Sequence, residues 1–334
     1  MLTKGTQSSY APSLLLVPTK QAPITSGFSA QTTALAAIGK LRLDGLTAIV
    51  TGGYAGVGLE TTRVLSEAGA AVVVPARTVN KARAALDGLE NVEIDSLDLF
   101  DPASIDAFAT RFLASGRPVH MLVNNAGIMA APLVRDARGF EAQLATNHLG
   151  HFQLTARLWP ALRSALGARV VCLSSRGHGR AAVDFDDAHF QRRPYDKWLA
   201  YGQSKTANAL FALALDARGA SHRVRAFSVH PGAIMTELVR SLSEEELREV
   251  IARAKTLSPL KNVEQGAATS VWCATSPQLD GMGGVYCEDA DIALAVPADS
   301  PAPSGVRPWA MDPELAERLW TKSEEWTGVT FAES

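Results

Sequence analysis

The sequence predicts a doubly wound α/β fold built on a mostly parallel sheet of about seven strands. Three observations carry that reading. Short apolar runs alternate with helical stretches along most of the chain. The first of these runs ends in a glycine-rich turn that opens directly into a helix. And 334 residues, 47% of them hydrophobic, are enough to bury one large core. Residues 1–42 bear Ser, Thr and Pro, are weakly periodic, and read as an arm with one short helix near 32–38. The alternation then begins: a strand at 47–50, a helix at 57–68, a strand at 71–74 and a helix at 81–89. Further strands are expected at 92–94, 119–123, 170–173 and 224–229, with helices between them. The single domain is expected to span 43–290, with a substrate lid at 234–260 that includes an amphipathic helix over 237–255. The Pro-rich stretch 297–308 reads as a surface connection, and a last helix at 313–326 closes a C-terminal extension, 291–334, packed on the same domain.

Charge and cysteine usage exclude several classes. The net charge is −2 and the 32 basic residues are dispersed, so neither a nucleic-acid footprint nor a polybasic membrane anchor is expected. Cys172, Cys273 and Cys287 form no CxxC pair and no even framework, which predicts reduced thiols in a cytoplasmic setting. The apolar run at 14–17 is too short for a signal core or a spanning helix. His178, His189 and His230 have no ligand spacing with the cysteines, so no metal site is expected. The cluster Asp184, Asp186, Asp187 with Arg192 and Arg193 reads as a salt-bridged insertion.

Two segments point to chemistry. Thr51-Gly52-Gly53-Tyr54-Ala55-Gly56-Val57-Gly58 ends the first strand and begins the first helix. Glycines there let backbone turn tightly and approach a pyrophosphate, while the new helix presents free N–H groups and a positive dipole end. The second segment is Tyr201-Gly202-Gln203-Ser204-Lys205, which on a helix sets a phenol and an ammonium one turn apart on one side. An ammonium near a phenol favours the phenolate and lowers its pKa from about 10, which suits general acid–base work on a carbonyl or alcohol.

Taken with Asn124-Asn125-Ala126-Gly127, Ser175 and Pro231-Gly232, these motifs closely resemble the short-chain dehydrogenase/reductase family, in its order and on the expected elements. The resemblance runs from about residue 43 to 286 and implies a Rossmann-type domain. The arm, the long interval from Ser175 to Tyr201 and the Leu319-Trp320 tail are similar to the retinol-dehydrogenase-like and WW-domain-oxidoreductase-like branch, without a WW domain. It implies Tyr201 as the acid/base, Lys205 as the holder of the nicotinamide ribose and Ser175 as the hydrogen-bond donor to the substrate oxygen. Ser174 is the local rival, because at a strand end either serine could face inward. Asn147 would position a water continuing the proton relay from Lys205.

The same resemblance assigns cofactor contacts to Gly52, Tyr54, Ala55, Gly56, Val57 and Gly58 in the loop. It adds Asp98 and Leu99 for adenine, and Asn125, Ala126 and Gly127 for the ribose. Pro231, Gly232, Ile234 and Thr236 fall beside the nicotinamide carboxamide. Ala76 occupies the slot where an acidic residue would grip the ribose hydroxyls of NAD, and Arg77 follows it with a guanidinium suited to a 2′-phosphate. NADP(H) is therefore favoured over NAD(H), although Tyr54 and Ala55 stand where many NADP-preferring relatives carry a basic residue. The expected activity is interconversion of a medium-sized hydrophobic aldehyde or ketone and its alcohol. An epimerase/dehydratase-like or protochlorophyllide-reductase-like enzyme, or a non-catalytic NADP-binding scaffold, are the alternatives. Relatives pair two long helices, here about 140–166 and 199–218, so a homodimer or tetramer is expected.

Overall fold

Strand β1 (Thr47–Val50) is buried along its whole length and pairs in parallel with β2 (Ala71–Ala76) on one side and β4 (Met121–Asn124) on the other. The computed structural model describes residues 19–257 and 260–332. The beginning of the expected arm, including the run at 14–17, and two residues of the expected lid thus lie outside the described residues. From β2 the sheet continues to β3 (Val92–Ser96), and from β4 to β5 (Ala168–Leu173), β6 (Val224–His230) and β7 (Val285–Glu288), all parallel. A short β8 (Asp291–Ile292) returns antiparallel, which brings the described strands to eight, in the order β3-β2-β1-β4-β5-β6-β7-β8. Runs such as Val72-Val73-Val74 form central strands because β-branched side chains pack well on a pleated surface covered on both faces. The order in which strands join the sheet reverses between β1 and β4, and the carboxyl ends of the strands there open a crevice.

Both faces carry helices. One core joins the sheet to helices Ala34–Ile38, Gly56–Glu67 and Val263–Thr275. The other joins it to Pro102–Ala114, Gly150–Arg157, Lys197–Gly219 and Pro313–Thr327. Residues 19–26 lie along the β7–β8 edge, and helix Ala34–Ile38 packs on helices Gly56–Glu67 and Val263–Thr275. The Gln21 amide donates to the carbonyls of Tyr286 (2.9 Å) and Ala293 (2.7 Å), and the Asp291 carboxylate accepts the N–H groups of Ile24 and Ser26. An otherwise open sheet edge is thereby covered.

Two expected helices differ in the structure. The stretch 140–166 is not one helix: Ala142–Leu144 leads into a π turn, Ala145–Leu149, then Gly150–Arg157, and a separate helix Trp159–Ser164. Pro160 has no N–H to donate and so begins the last piece instead of continuing the one before. The expected lid helix is a 3-10 turn, Glu237–Ser241, followed by helix Glu244–Leu257. Ser243 and Glu246 exchange hydrogen bonds reciprocally (2.9 and 3.2 Å), a capping box that starts the second helix afresh.

The C-terminal helix is part of the core. Trp320 meets Phe152 (5.3 Å between ring centroids), Phe211 (6.0 Å) and Phe331 (4.5 Å). Trp320→Ala should therefore cost about 3–5 kcal/mol in urea unfolding, as for buried aromatic truncations. Glu325→Ala, which removes only an exposed pair with Lys322, should cost less than about 1 kcal/mol. Equal, small losses from both would show that the tail is not integrated.

Candidate active site

The glycine turn reaches its shape through the hydroxyl of Thr51. Thr51 Oγ1 accepts the N–H groups of Asn125 (2.9 Å) and Ala126 (3.0 Å) and lies 2.9 Å from His151 Nε2. The Asn125 amide returns to the Thr51 carbonyl at 2.8 Å, so the ends of β1 and β4 are tied together. Helix Gly56–Glu67 packs closely on this knot. A Cβ at Gly58 would lie 2.4 Å from the Gly52 carbonyl oxygen and from Asn125 Nδ2, so no larger residue fits. Ala55 caps the helix without any side-chain hydrogen bond, which leaves its first turn open toward the crevice. An uncapped helix start on a cradle with no room for a side chain fits a pyrophosphate.

The crevice is a cleft of about 580 Å³, within the usual range for ligand sites. Gly52, Tyr54, Ala55, Gly56, Val57 and Gly58 line it, as do Arg77, Asp98, Leu99, Asn125, Ala126 and Gly127. Ser175, Tyr201, Lys205, Pro231, Gly232, Ile234 and Thr236 form the opposite end. Thr236 sits directly over the glycine turn, its Cγ2 3.0 Å from where a Cβ of Gly56 would be. Asn147 is the exception: it is wholly buried and does not line the cleft. Its amide bonds the N–H (2.9 Å) and carbonyl (3.0 Å) of Ile128 and the Ser204 hydroxyl (3.0 Å). Its carbonyl, in the π turn, meets His151 Nδ1 at 2.9 Å.

Arg77 is exposed and lines the cleft, whereas Ala76 is buried and does not. Asp98 Oδ1 accepts the Phe100 N–H (2.9 Å), while Asp101 caps the next helix through the Ala103 N–H (3.0 Å). Lys81 was missed by sequence reasoning. It lines the same cleft and pairs with Glu237 at 2.5 Å. The available signal was its place four residues after Arg77, one turn into the helix Val79–Ala85.

At the other end the two serines separate. Ser174 Oγ donates to the Lys205 carbonyl (2.7 Å) and faces the helix, while the Ser175 hydroxyl accepts the Gly177 N–H (3.0 Å) and lines the cleft with the Tyr201 phenol. Tyr201 and Lys205 do share one side of helix Lys197–Gly219, but the expected electrostatics is not observed. Lys205 Nζ donates to the Leu173 carbonyl (3.0 Å) and stands 5.6 Å from the Tyr201 ring centroid, over the ring. Burial pushes the phenol up to about 12, opposed by the nearby Ser175 hydroxyl, and pushes the ammonium down to about 8. The protein alone thus holds Tyr201 as a neutral acid. Arg176 and His230 also line this end, as do Leu238, Val239, Val250 and Ile251 from the lid segment. Their contributions were not assigned from sequence because they depend on how the lid folds back. Among the described residues no cluster of His, Cys, Asp and Glu could hold a metal ion, and the three cysteines are free and buried.

Residues 46–247 match the family described as short chain dehydrogenase. The chain is 46% identical over 290 residues to a Streptomyces antibioticus protein named "Probable oxidoreductase", covering 83% of this chain and 96% of that one. It is 36% identical over 298 residues to human retinol dehydrogenase 12, covering 87% of this chain and 89% of that one. A crystal structure of an uncharacterized protein from Mycobacterium paratuberculosis is similar with a TM-score of 0.69 and 31% identity, over 89% of this chain and 98% of that one. A crevice lined by a glycine turn at one end and by Ser175, Tyr201 and Lys205 at the other thus lies in a chain that belongs to the short-chain dehydrogenase/reductase family of NAD(P)-dependent oxidoreductases.

Proposed function

We propose that the protein is an NADP(H)-dependent reductase of hydrophobic aldehydes or ketones, also able to oxidise the corresponding alcohols. The observation that carries this reading is the convergence of Ser175, Tyr201 and Lys205 on the same cleft that the glycine turn and Arg77 line. The glycine turn and the start of helix Gly56–Glu67 would hold the pyrophosphate, and Arg77 with Lys81 the 2′-phosphate. Asp98 and Leu99 would flank the adenine; Asn125, Ala126, Gly127 and Lys205 the nicotinamide ribose; Pro231, Gly232, Ile234 and Thr236 the carboxamide. Bound NADPH supplies a hydride. Ser175 holds the substrate oxygen by a hydrogen bond, and the Tyr201 phenol gives that oxygen its proton; in oxidation the same pair works in reverse. A phenol held neutral at working pH suits the donating direction. Asn147 would position a water relaying protons from Lys205: its Oδ1 and Lys205 Nζ lie 3.1 and 3.6 Å from where a Cβ of Gly127 would be. The apolar lid residues Leu238, Val239, Val250 and Ile251 favour an apolar substrate, and the similarity to a retinol dehydrogenase agrees with that class. Free buried cysteines support a cytoplasmic setting, and no helix among the described residues is long and apolar enough to cross a membrane.

Assembly is where we depart from the expectation. The faces of helices Gly150–Arg157 and Lys197–Gly219 that would pair across a twofold axis are met by Trp320 and Leu319 of helix Pro313–Thr327. We infer that this helix stands in a partner's place. Light scattering at micromolar concentration should give a single-chain mass; a dimer cross-linked through those two helices would refute this.

Tyr201→Phe should keep the fold and NADPH binding and lower turnover by roughly 10²–10⁴-fold or more. Near-normal turnover would remove Tyr201 from the chemistry. Arg77→Ala should weaken NADPH roughly ten- to a hundredfold, the value of about 1.5–3 kcal/mol for a charge-assisted hydrogen bond. NADH should be almost unaffected, since it has no 2′-phosphate. Equal weakening of both, or equal wild-type affinity for both, would mean that Arg77 does not select the cofactor.

A further inference from the structure

One buried imidazole connects the C-terminal extension to the substrate end of the cleft. His178 lies in the 3-10 turn Arg176–Arg180, which Ser175 caps, and is only 2% exposed. Its Nε2 lies 3.1 Å from the backbone nitrogen of Arg307. A backbone N–H can only donate, so Nε2 carries the lone pair and Nδ1 carries the proton. That proton meets the carbonyl of Ser175, 2.7 Å from Nδ1. The Tyr286 phenol lies 3.2 Å from the same nitrogen, with the two rings 4.9 Å apart. Thr206 and the Trp309 indole both donate to the His178 carbonyl, at 3.2 and 3.0 Å. The imidazole is thus bonded on both sides, and burial keeps it neutral with its pKa pushed down to about 4.

The segment that supplies the Arg307 N–H is itself fastened. Val306 donates to the Leu294 carbonyl (2.9 Å) and Val296 to the Val306 carbonyl (3.0 Å). Gly305 donates to the half-buried Glu288 carboxylate (2.7 Å), and the Arg307 guanidinium to the Ser300 carbonyl (2.7 Å). On the other side of the turn there is little slack, because a Cβ at Gly177 would come within 2.8 Å of the Tyr201 ring. A shift of the Ser175 carbonyl would therefore move the serine hydroxyl relative to the phenol.

We propose that His178 is a positioning residue for Ser175, and that the segment around Arg307 acts as a strap that sets the serine's orientation through this imidazole. The proposal rests on the reading of Ser175 as the group that holds the substrate oxygen. It makes the C-terminal extension part of the active-site support, not only a cover for the core.

Two pairs of variants test it in the full-length protein. Arg307 has φ −79° and ψ 150°, a backbone conformation that proline adopts. Arg307→Pro deletes the N–H, whereas Arg307→Ala deletes the side chain and keeps it. At 178, an asparagine amide can stand where Nδ1 stands and keep the bond to Ser175; a glutamine reaches only toward Arg307. Turnover is measured with NADPH on the most active aldehyde of a panel of nonanal, benzaldehyde and all-trans-retinal, alongside KM, NADPH affinity and thermal melting. Arg307→Pro and His178→Gln should lower kcat by roughly ten- to a hundredfold, the range for a small misplacement of a reacting group. NADPH affinity should stay within about twofold in both. Arg307→Ala should keep kcat within about threefold, whereas His178→Asn, which keeps the Ser175 bond but cannot accept the Arg307 N–H, should lose kcat as Arg307→Pro does. If Arg307→Pro or His178→Gln folds and turns over like wild type, or if all four variants lose stability without the kcat split, the strap is overturned. Ser175→Ala separates the two levels. Full turnover in that variant would defeat the reading of Ser175 and the strap with it. Its loss, together with normal Arg307→Pro and His178→Gln enzymes, would defeat the strap alone.

Discussion

Helix Lys197–Gly219 is clamped to the end of β5, and most of the site's geometry depends on that clamp. The Lys205 ammonium and the Asn208 amide both donate to the Leu173 carbonyl, at 3.0 and 2.8 Å, and Ser174 returns a hydrogen bond from its hydroxyl to the Lys205 carbonyl at 2.7 Å. A carbonyl at a strand's end has lost its sheet partner and, buried, must find another. Here a cation supplies it, and a charge-assisted bond is stronger than a neutral one. The clamp fixes the helix in both rotation and translation. Tyr201, one turn earlier, is thereby set against Ser175, the residue after Ser174.

The clamp also explains why the phenol is not acidified by the neighbouring ammonium. Lys205 points to the strand carbonyl and passes over the Tyr201 ring instead of meeting its oxygen. With both groups buried, each is driven toward its neutral form. The arrangement suits proton donation, and the cleft has its second polar centre far from the first, in Arg77 and Lys81 at the mouth. Between them the Thr51 knot and the close-packed Gly58 leave a floor of backbone, against which an extended anionic cofactor fits.

The extensions at either end of the chain do structural work of distinct kinds. Residues 19–26 cover the β7–β8 edge with hydrogen bonds from Gln21 and to Asp291. The last helix fills an aromatic hollow between Phe152 and Phe211. The connection before it, which its prolines mark as irregular, reaches His178. An irregular segment can donate backbone N–H groups to side chains because no ladder claims them.

The parallel sheet, the glycine turn and the Tyr201-Lys205 pair were all legible in the sequence. Their signals are local: a run of β-branched residues, a spacing of glycines, a separation of one helical turn. The break at Pro160 and the restart at Ser243 were legible in principle too, since a missing N–H and a capping box are chemical facts of a few adjacent residues. Other features had no local signal at all. Which of Ser174 and Ser175 faces the cleft depends on a carbonyl in another helix. That Lys205 binds Leu173 and not the phenol depends on how deeply the helix is buried. Lys81 lines the cleft beside Glu237, its partner 156 residues further along the chain. His178, dismissed as a metal ligand, finds its partners in Tyr286 and Arg307, more than a hundred residues away. Period and motif follow from covalent neighbours, so the sequence alone determines them. Protonation, hydrogen-bond partner and the direction a side chain faces follow from burial and from distant atoms, which only the folded chain brings together.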